Sequence, residues 1–239
     1  MESVRIVVGV ILPYIAIAVF LVGMIYHLFN WKKLPSPPMT LYPAGSEPGS
    51  KTGNILKEAF LFRSLFKGDR ALWLIAWIFH VVLALIFLGH LRVFFNLDAL
   101  LMKFGMTEAS INAMSGAVGG TAGILILLAA VLLIVRRMAI PRVREITNFA
   151  DYSILLLLAA VIVTGNLMRF GGWHIDLAET RTYFGSLAAF SAGASATALQ
   201  NGMFVLHMGL AMVLIMLIPF SKILHVGGVF FSQYLIRKA

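Results

Sequence analysis

Four histidines stand in stretches that are otherwise almost wholly apolar. His80 and His90 lie in FHVVLALIFLGH (79–90), and His207 and His225 in LHMGLAMVLIMLIPFSKILH (206–225). Imidazole in such surroundings can satisfy itself on a neighbouring carbonyl, relay protons, or give a nitrogen lone pair to a metal. The first is the plainer use of any one of them. Polar side chains at membrane depth cost free energy and usually face the protein interior, so four in a pattern ask for more. His80 and His90 are ten residues apart, or ~15 Å along a helix axis. Two axial nitrogens across one iron, each about 2 Å from it, are only about 4 Å apart. One iron cannot take both, so each needs a partner on another helix.

The elements that must position these rings are membrane spans. The 239 residues are 60% apolar and 12% charged, about half the charged fraction of an ordinary soluble domain. Apolar runs at roughly 4–28, 72–95, 117–135, 153–169 and 202–220 approach the ~20 residues that a spanning helix needs. The expected fold is all-α: a polytopic membrane protein, one domain over residues 1–239, with five transmembrane helices and no soluble domain. The first run is too long for a signal-peptide core, has only Arg5 before it as a basic residue, and shows no clear small-residue cleavage site, so it reads as a retained span. With no cysteine, the chain supplies no thiolate for an iron–sulfur cluster, a disulfide or a covalent c-type haem link.

The net charge of +9 is distributed as a topology signal and does not point to nucleic acid. Fourteen of the nineteen Lys and Arg fall after the first, third and fifth runs, leaving Arg5, Arg92, Lys103, Arg169 and Arg181 on the other side. The positive-inside rule then puts the N-terminus outside and the C-terminus in the cytoplasm, with membrane lipids or a cytoplasmic partner as further uses of the basic surface. The inner loop 31–70 starts Pro-rich; its second half, NILKEAFLFRSLF (54–66), spaces Ile55, Ala59, Phe62 and Phe66 as an amphipathic helix, lying at the interface or docking a partner. The outer loop 170–201 is rich in Gly, Ser and Ala, with Tyr183 and Phe184 suited to a membrane interface. In SGAVGGTAG (115–123), Gly116/Gly120 and Gly119/Gly123 permit either close helix packing or a flat ring lying on a smooth face.

With this topology the second run travels outward and the fifth inward. Depth matching pairs His90 with His207 toward the outside and His80 with His225 toward the cytoplasm. Two bis-histidine haems satisfy all four rings. The fifth-run pair would lie ~27 Å apart if helical throughout, so tilt and a break at Pro219 must absorb the excess. The rival from another class is a histidine-relay transporter or channel. Such proteins usually carry Asp or Glu in the membrane core, whereas Asp69, Asp98, Glu108, Glu145, Asp151, Asp176 and Glu179 sit at the ends of the runs or between them. A zinc site lacks the Cys or acidic ligands to complete a tetrahedron. His27 suits snorkelling to headgroups. His174, in GGWHID (171–176), is either a surface-loop residue or a proton acceptor for quinol. Arg92 and Arg169 outside, and Arg142 and Lys222 inside, are candidates to pair haem propionates or to act as interfacial charges.

LPYIAIAVFLVG (12–23), FHVVLALIFLGH (79–90), VRRMAIPRVREITNFADYSIL (135–155) and LHMGLAMVLIMLIPFSKILH (206–225), in this order, resemble the respiratory nitrate reductase gamma-subunit family. The resemblance implies two b haems, held by His80 and His225 on the inner side and by His90 and His207 on the outer side. It implies a menaquinol site near the outer haem, with Gly89, Arg92, Lys103 and His174 in its vicinity; Lys103, in LLMKFGMTEASINAM (100–114), is the candidate equivalent of the family's outer-loop lysine. The longer inner loop, with SKTG and FLFRSLF, resembles that of the membrane cytochrome b of the sulfite-reduction-associated Dsr complex. That likeness implies a cytoplasmic iron–sulfur partner related to heterodisulfide reductase, other membrane or periplasmic subunits, and residence in a prokaryotic cytoplasmic membrane. The expected function is electron transfer between menaquinone and that partner in sulfur metabolism, or the gamma-subunit role in a nitrate reductase.

Overall fold

The boundaries of the spans are set by polar caps as much as by apolar residues. The computed structural model describes residues 2–33, 50–193 and 195–236, and among them every regular element is helical. The Pro-rich start of the inner loop and the basic C-terminal residues lie outside the described residues. Among the described residues five helices are long and apolar enough to cross a membrane: Glu2–Lys33, Arg70–Phe94, Glu108–Ala139, Phe149–Phe170 and Gly202–Phe220, here the first to fifth spans. They follow the expected order; the fifth has the bounds of its apolar run, and the third exceeds its run most of all. Its start is fixed by a capping box in which Thr107 and Ser110 bond each other's main-chain N–H, so the polar turn before the apolar run is already helix. Hydropathy marks the membrane, whereas caps mark the helix. The fourth span begins with the same device, built from Asn148 and Asp151. The second is capped by Asp69, whose carboxylate accepts from Leu72 N–H at 2.9 Å and pairs with Arg136 of the third span at 2.9 Å. The Leu72 N–H and then Arg136 hold that carboxyl below the usual carboxylate range.

The spans form an open arc. The second packs on the third, the third on the fourth, the fourth on the fifth, and the fifth on the first, whereas the second and fifth share no packed seam. Lipid gives no hydrophobic drive for such seams, which depend on close contact and interhelical hydrogen bonds. Ala122, Ala129 and Ala130 accordingly meet Phe79 and Val82 between the second and third spans. The glycine stripe of the third span faces the fourth: Arg169 lies over Gly119, Phe170 over Gly120, and Asn166 against Gly123, where its amide donates to the Gly123 carbonyl at 2.8 Å. Of the two uses open to this stripe, close packing is the one found at these three glycines; Gly116 alone faces open space.

Two connections depart from expectation. The segment 170–201 contains the helix Leu177–Ala188, and Tyr183 is 2% exposed, its ring turned into a core with Leu199, Phe204 and Met208. Its hydroxyl donates to the Gly9 carbonyl at 2.5 Å, inside a π-helical turn (Val7–Ile11) of the first span. Burial pushes the Tyr183 phenol up, so it remains a donor. The inner-loop helix is not continuous either. It breaks at Phe62, which adopts a left-handed conformation (φ 49°) between Lys51–Leu61 and Arg63–Gly68. The break frees the carbonyls of Phe60 and Leu61, which accept from the indole N–H groups of Trp77 at 3.1 Å and Trp73 at 2.8 Å. Glu58 meanwhile accepts from the Ser64 N–H at 3.0 Å, capping the second piece. The loop is thereby fastened to the second span.

Candidate functional site

Near the basic end of the bundle, His80 of the second span meets His225, the first residue of a C-terminal helix (His225–Ile236). Their Nε2 atoms are 3.4 Å apart. What brings His225 there is the end of the fifth span. Pro219 converts its last turn to a 3₁₀ turn, and Ser221 is extended. A second 3₁₀ turn, Lys222–Leu224, then leads into His225. The break at Pro219 thus takes up the mismatch in spacing between the two histidine-bearing spans. The ring of Phe62, the residue at which the inner-loop helix breaks, lies edge-on to His80 at 5.1 Å.

At the other end of the same spans, His90 and His207 come within electrostatic reach of each other. His90 is exposed and His207 is half-buried. No side chain or backbone atom lies within 4 Å of where a Cβ on Gly89 would stand.

All four imidazoles share one feature. His80 Nδ1 stands 2.7 Å from the Ala76 carbonyl, His90 Nδ1 2.7 Å from that of Ile86, and His225 Nδ1 2.7 Å from that of Lys222. A carbonyl can only accept, so each Nδ1 carries the proton and each Nε2 keeps its lone pair. His207 Nδ1 is 2.9 Å from the Thr164 hydroxyl, whose own proton goes to the carbonyl of Ala160 or Val161 at 2.9 or 3.0 Å. With that proton on a carbonyl, the hydroxyl accepts from Nδ1–H and His207 takes the same tautomer. An imidazole held through Nδ1–H with a bare Nε2 is the arrangement of a metal ligand.

The donor set suits a porphyrin, which brings four nitrogens and asks the protein for two axial ligands. Among the described residues no group of three or more His, Cys, Asp or Glu could hold a metal ion unaided. The second and fifth spans, which carry His80, His90 and His207, share no packed seam. A proton relay finds little support: the one acidic residue buried within a span, Asp151, sits in a first turn and pairs with Lys222 at 2.6 Å.

The basic candidates for propionates are mostly engaged within the chain. Arg92 pairs with Asp98 at 2.8 Å, Arg169 donates to the Ser115 carbonyl at 3.2 Å, and Lys222 holds Asp151. Arg142 is exposed. Lys103 is exposed at the end of the short helix Leu97–Lys103, and His174 is exposed in its loop. His27 packs in tilted contact with Trp31.

Sequence reasoning missed Asp98, which joins Arg92 of the second span to Arg181 of the helix Leu177–Ala188, at 2.8 and 2.7 Å. It also missed Thr164 and Asn166, although a TGN triplet inside an apolar run was a legible signal. Asp98 lines a cavity of about 380 Å³ with Met102, Glu108 and Asp176. Partial burial pushes its carboxyl up, but hydrogen bonds from Arg92 and Arg181 outweigh this and leave it below the usual range. A depressed carboxylate stabilises the fold above its unfolded pKa of about 4 and loses that contribution as pH falls through the lower folded value. Acidification from pH 7 toward 3 should therefore lower the thermal transition in detergent. Asp98→Asn should flatten that acid limb and cost about 1.5–3 kcal/mol at pH 7.

Comparison with known proteins agrees with this architecture. The chain is 33% identical to the Hdr-like menaquinol oxidoreductase cytochrome b-like subunit of Archaeoglobus fulgidus, over 95% of this chain and 78% of that one. It is 28% identical to the subunit of the same name from Archaeoglobus profundus, over 92% and 76%. It is also 33% identical to the respiratory nitrate reductase 1 gamma chain of Escherichia coli, over 95% and 92%. The family model for the nitrate reductase gamma subunit matches residues 63–239, from the broken inner-loop helix through all four histidines, and the chain belongs to that family.

Proposed function

We propose that this chain is the di-haem b membrane subunit of a quinone-linked respiratory complex. It carries electrons between menaquinol on the outer side and a cytoplasmic iron–sulfur subunit. The observation that carries this reading is the common state of the four histidines: Nδ1–H held, Nε2 bare, and His80 facing His225. In this reading His80 and His225 hold the inner haem, and His90 and His207 the outer one. When bound, the two groups supply a one-electron relay across the bilayer.

The chain's own residues orient the ligands, separate the two sites by ~15 Å along the second span, and present surfaces at each end. The basic end is cytoplasmic by the positive-inside rule, which puts the C-terminus inside and the N-terminus outside. In this reading Gly89, Arg92, Lys103 and His174 are the candidates for the quinol side, where Arg92 lines a polar cavity with Asp98. The menaquinol oxidoreductase names of the Archaeoglobus relatives support the quinone. The Hdr-like part of the same names supports a partner of the heterodisulfide-reductase kind; to this the proposal adds a role in sulfur metabolism in a prokaryotic cytoplasmic membrane. A nitrate reductase gamma role is the second reading, favoured by coverage of 92% of the Escherichia coli chain. Reducing the purified complex with a menaquinol analogue and then adding nitrate separates them: reoxidation of the haem bands by nitrate would replace the first reading by the second.

The inner loop is the expected dock for the partner. Leu56, Phe60, Leu61 and Phe66 are exposed, with Lys57 and Lys67 exposed among them. Lys57→Glu with Lys67→Glu should weaken co-purification of the iron–sulfur subunit at least tenfold while leaving the haem spectrum unchanged. Undiminished co-purification would remove this loop as the dock.

A further inference from the structure

Three of the four histidines are oriented by a main-chain carbonyl, which no substitution removes. His207 is the exception. Its Nδ1 stands 2.9 Å from the hydroxyl of Thr164, a side chain that is 6% exposed in the middle of the fourth span. The next residue is Gly165, where a Cβ would come within 3.2 Å of His207 Cε1. A hydroxyl that holds the ring and a glycine that makes room for it therefore stand side by side on the helix facing His207.

We propose that Thr164 and Gly165 form a positioning seat for the outer ligand, fixing the plane of the His207 ring and the donor strength of its Nε2. The inference deepens the di-haem reading and rests on it. Hydrogen bonding at Nδ1–H raises the basicity of the ligating nitrogen and fixes the ring orientation. A group bound at Nε2 therefore responds to whatever Nδ1 meets. The Thr164 hydroxyl is well placed for this, because its own proton is committed to the Ala160 or Val161 carbonyl and its lone pair is presented to the ring. With valine in its place, the Nδ1–H loses the hydroxyl that accepts from it. The ring plane and the ligand strength then change. Alanine at 165 acts differently, pressing on the ring edge while leaving the hydroxyl in place.

The test compares Thr164→Val, Thr164→Ser and Gly165→Ala, in the full complex, by redox titration and low-temperature electron paramagnetic resonance. Thr164→Val should keep two haems per chain, shift the midpoint potential and low-spin ferric g-values of one haem, and leave the other unchanged. Thr164→Ser should restore both signals, which a simple loss of packing would not allow. Gly165→Ala should shift the g-values of the same haem. Unchanged potential and g-values in Thr164→Val, or equal shifts in both haems, would overturn the seat. His207→Ala is the control on the reading beneath it: loss of one haem keeps that reading, and retention of both ends it whatever the threonine variants do.

Discussion

His90→Ala is expected to leave the protein with half its haem and no quinol-driven reduction. The nearest other histidine on the same helix is His80, ten residues away and thus ~15 Å along the axis. Two bonds of about 2 Å each cannot span that distance. The inner pair should be untouched, because His80 is held by the Ala76 carbonyl and His225 by the Lys222 carbonyl, neither of which depends on residue 90. Dithionite should therefore still reduce the remaining haem, whereas a menaquinol analogue should reduce it at least a hundredfold more slowly than in the unaltered protein. Quinol reduction at the normal rate would mean that electrons enter elsewhere, and the inward direction of transfer would have to be given up.

His225→Ala should produce the complementary loss. The second imidazole of the inner pair disappears, and the 3.4 Å approach of the two Nε2 atoms goes with it. The outer haem should remain reducible by quinol, but transfer to the iron–sulfur partner should fall by a hundredfold or more. The fold should survive, because His225 begins a helix past the last span, is exposed, and makes its contacts with Lys222 and His80. Stopped-flow mixing with quinol, followed at the haem bands and then at the partner's clusters, separates the two steps. A variant that still passes electrons to the partner at the normal rate would show that the inner pair is not on the route.

The sequence made the framework legible because membrane constraints are one-dimensional. Length and apolarity specify spans, and ten residues on a helix specify two depths. The histidine pairing followed from those quantities, and His80 does meet His225. What stayed hidden depends on side-chain direction. Nothing in the spacing of NILKEAFLFRSLF says that Phe62 will turn left-handed so that two indoles can take the freed carbonyls. Tyr183 looked like an interface residue because Tyr favours that layer, but a π-turn carbonyl at Gly9 claims its hydroxyl. Lys222 and Arg92 looked available for propionates because charge alone does not reveal Asp151 and Asp98 as their partners. Hydropathy could not show that the third span starts at Glu108 either, since the capping box precedes the apolar residues it organises.

The most direct measurement is the haem content of the purified chain. A pyridine haemochrome assay against quantitative amino-acid analysis should give two b haems per polypeptide, falling to one in His90→Ala and in His225→Ala and to none in the double variant. One haem or none in the unaltered protein, or the same content in all four, would contradict the assignment of the four histidines as two axial pairs.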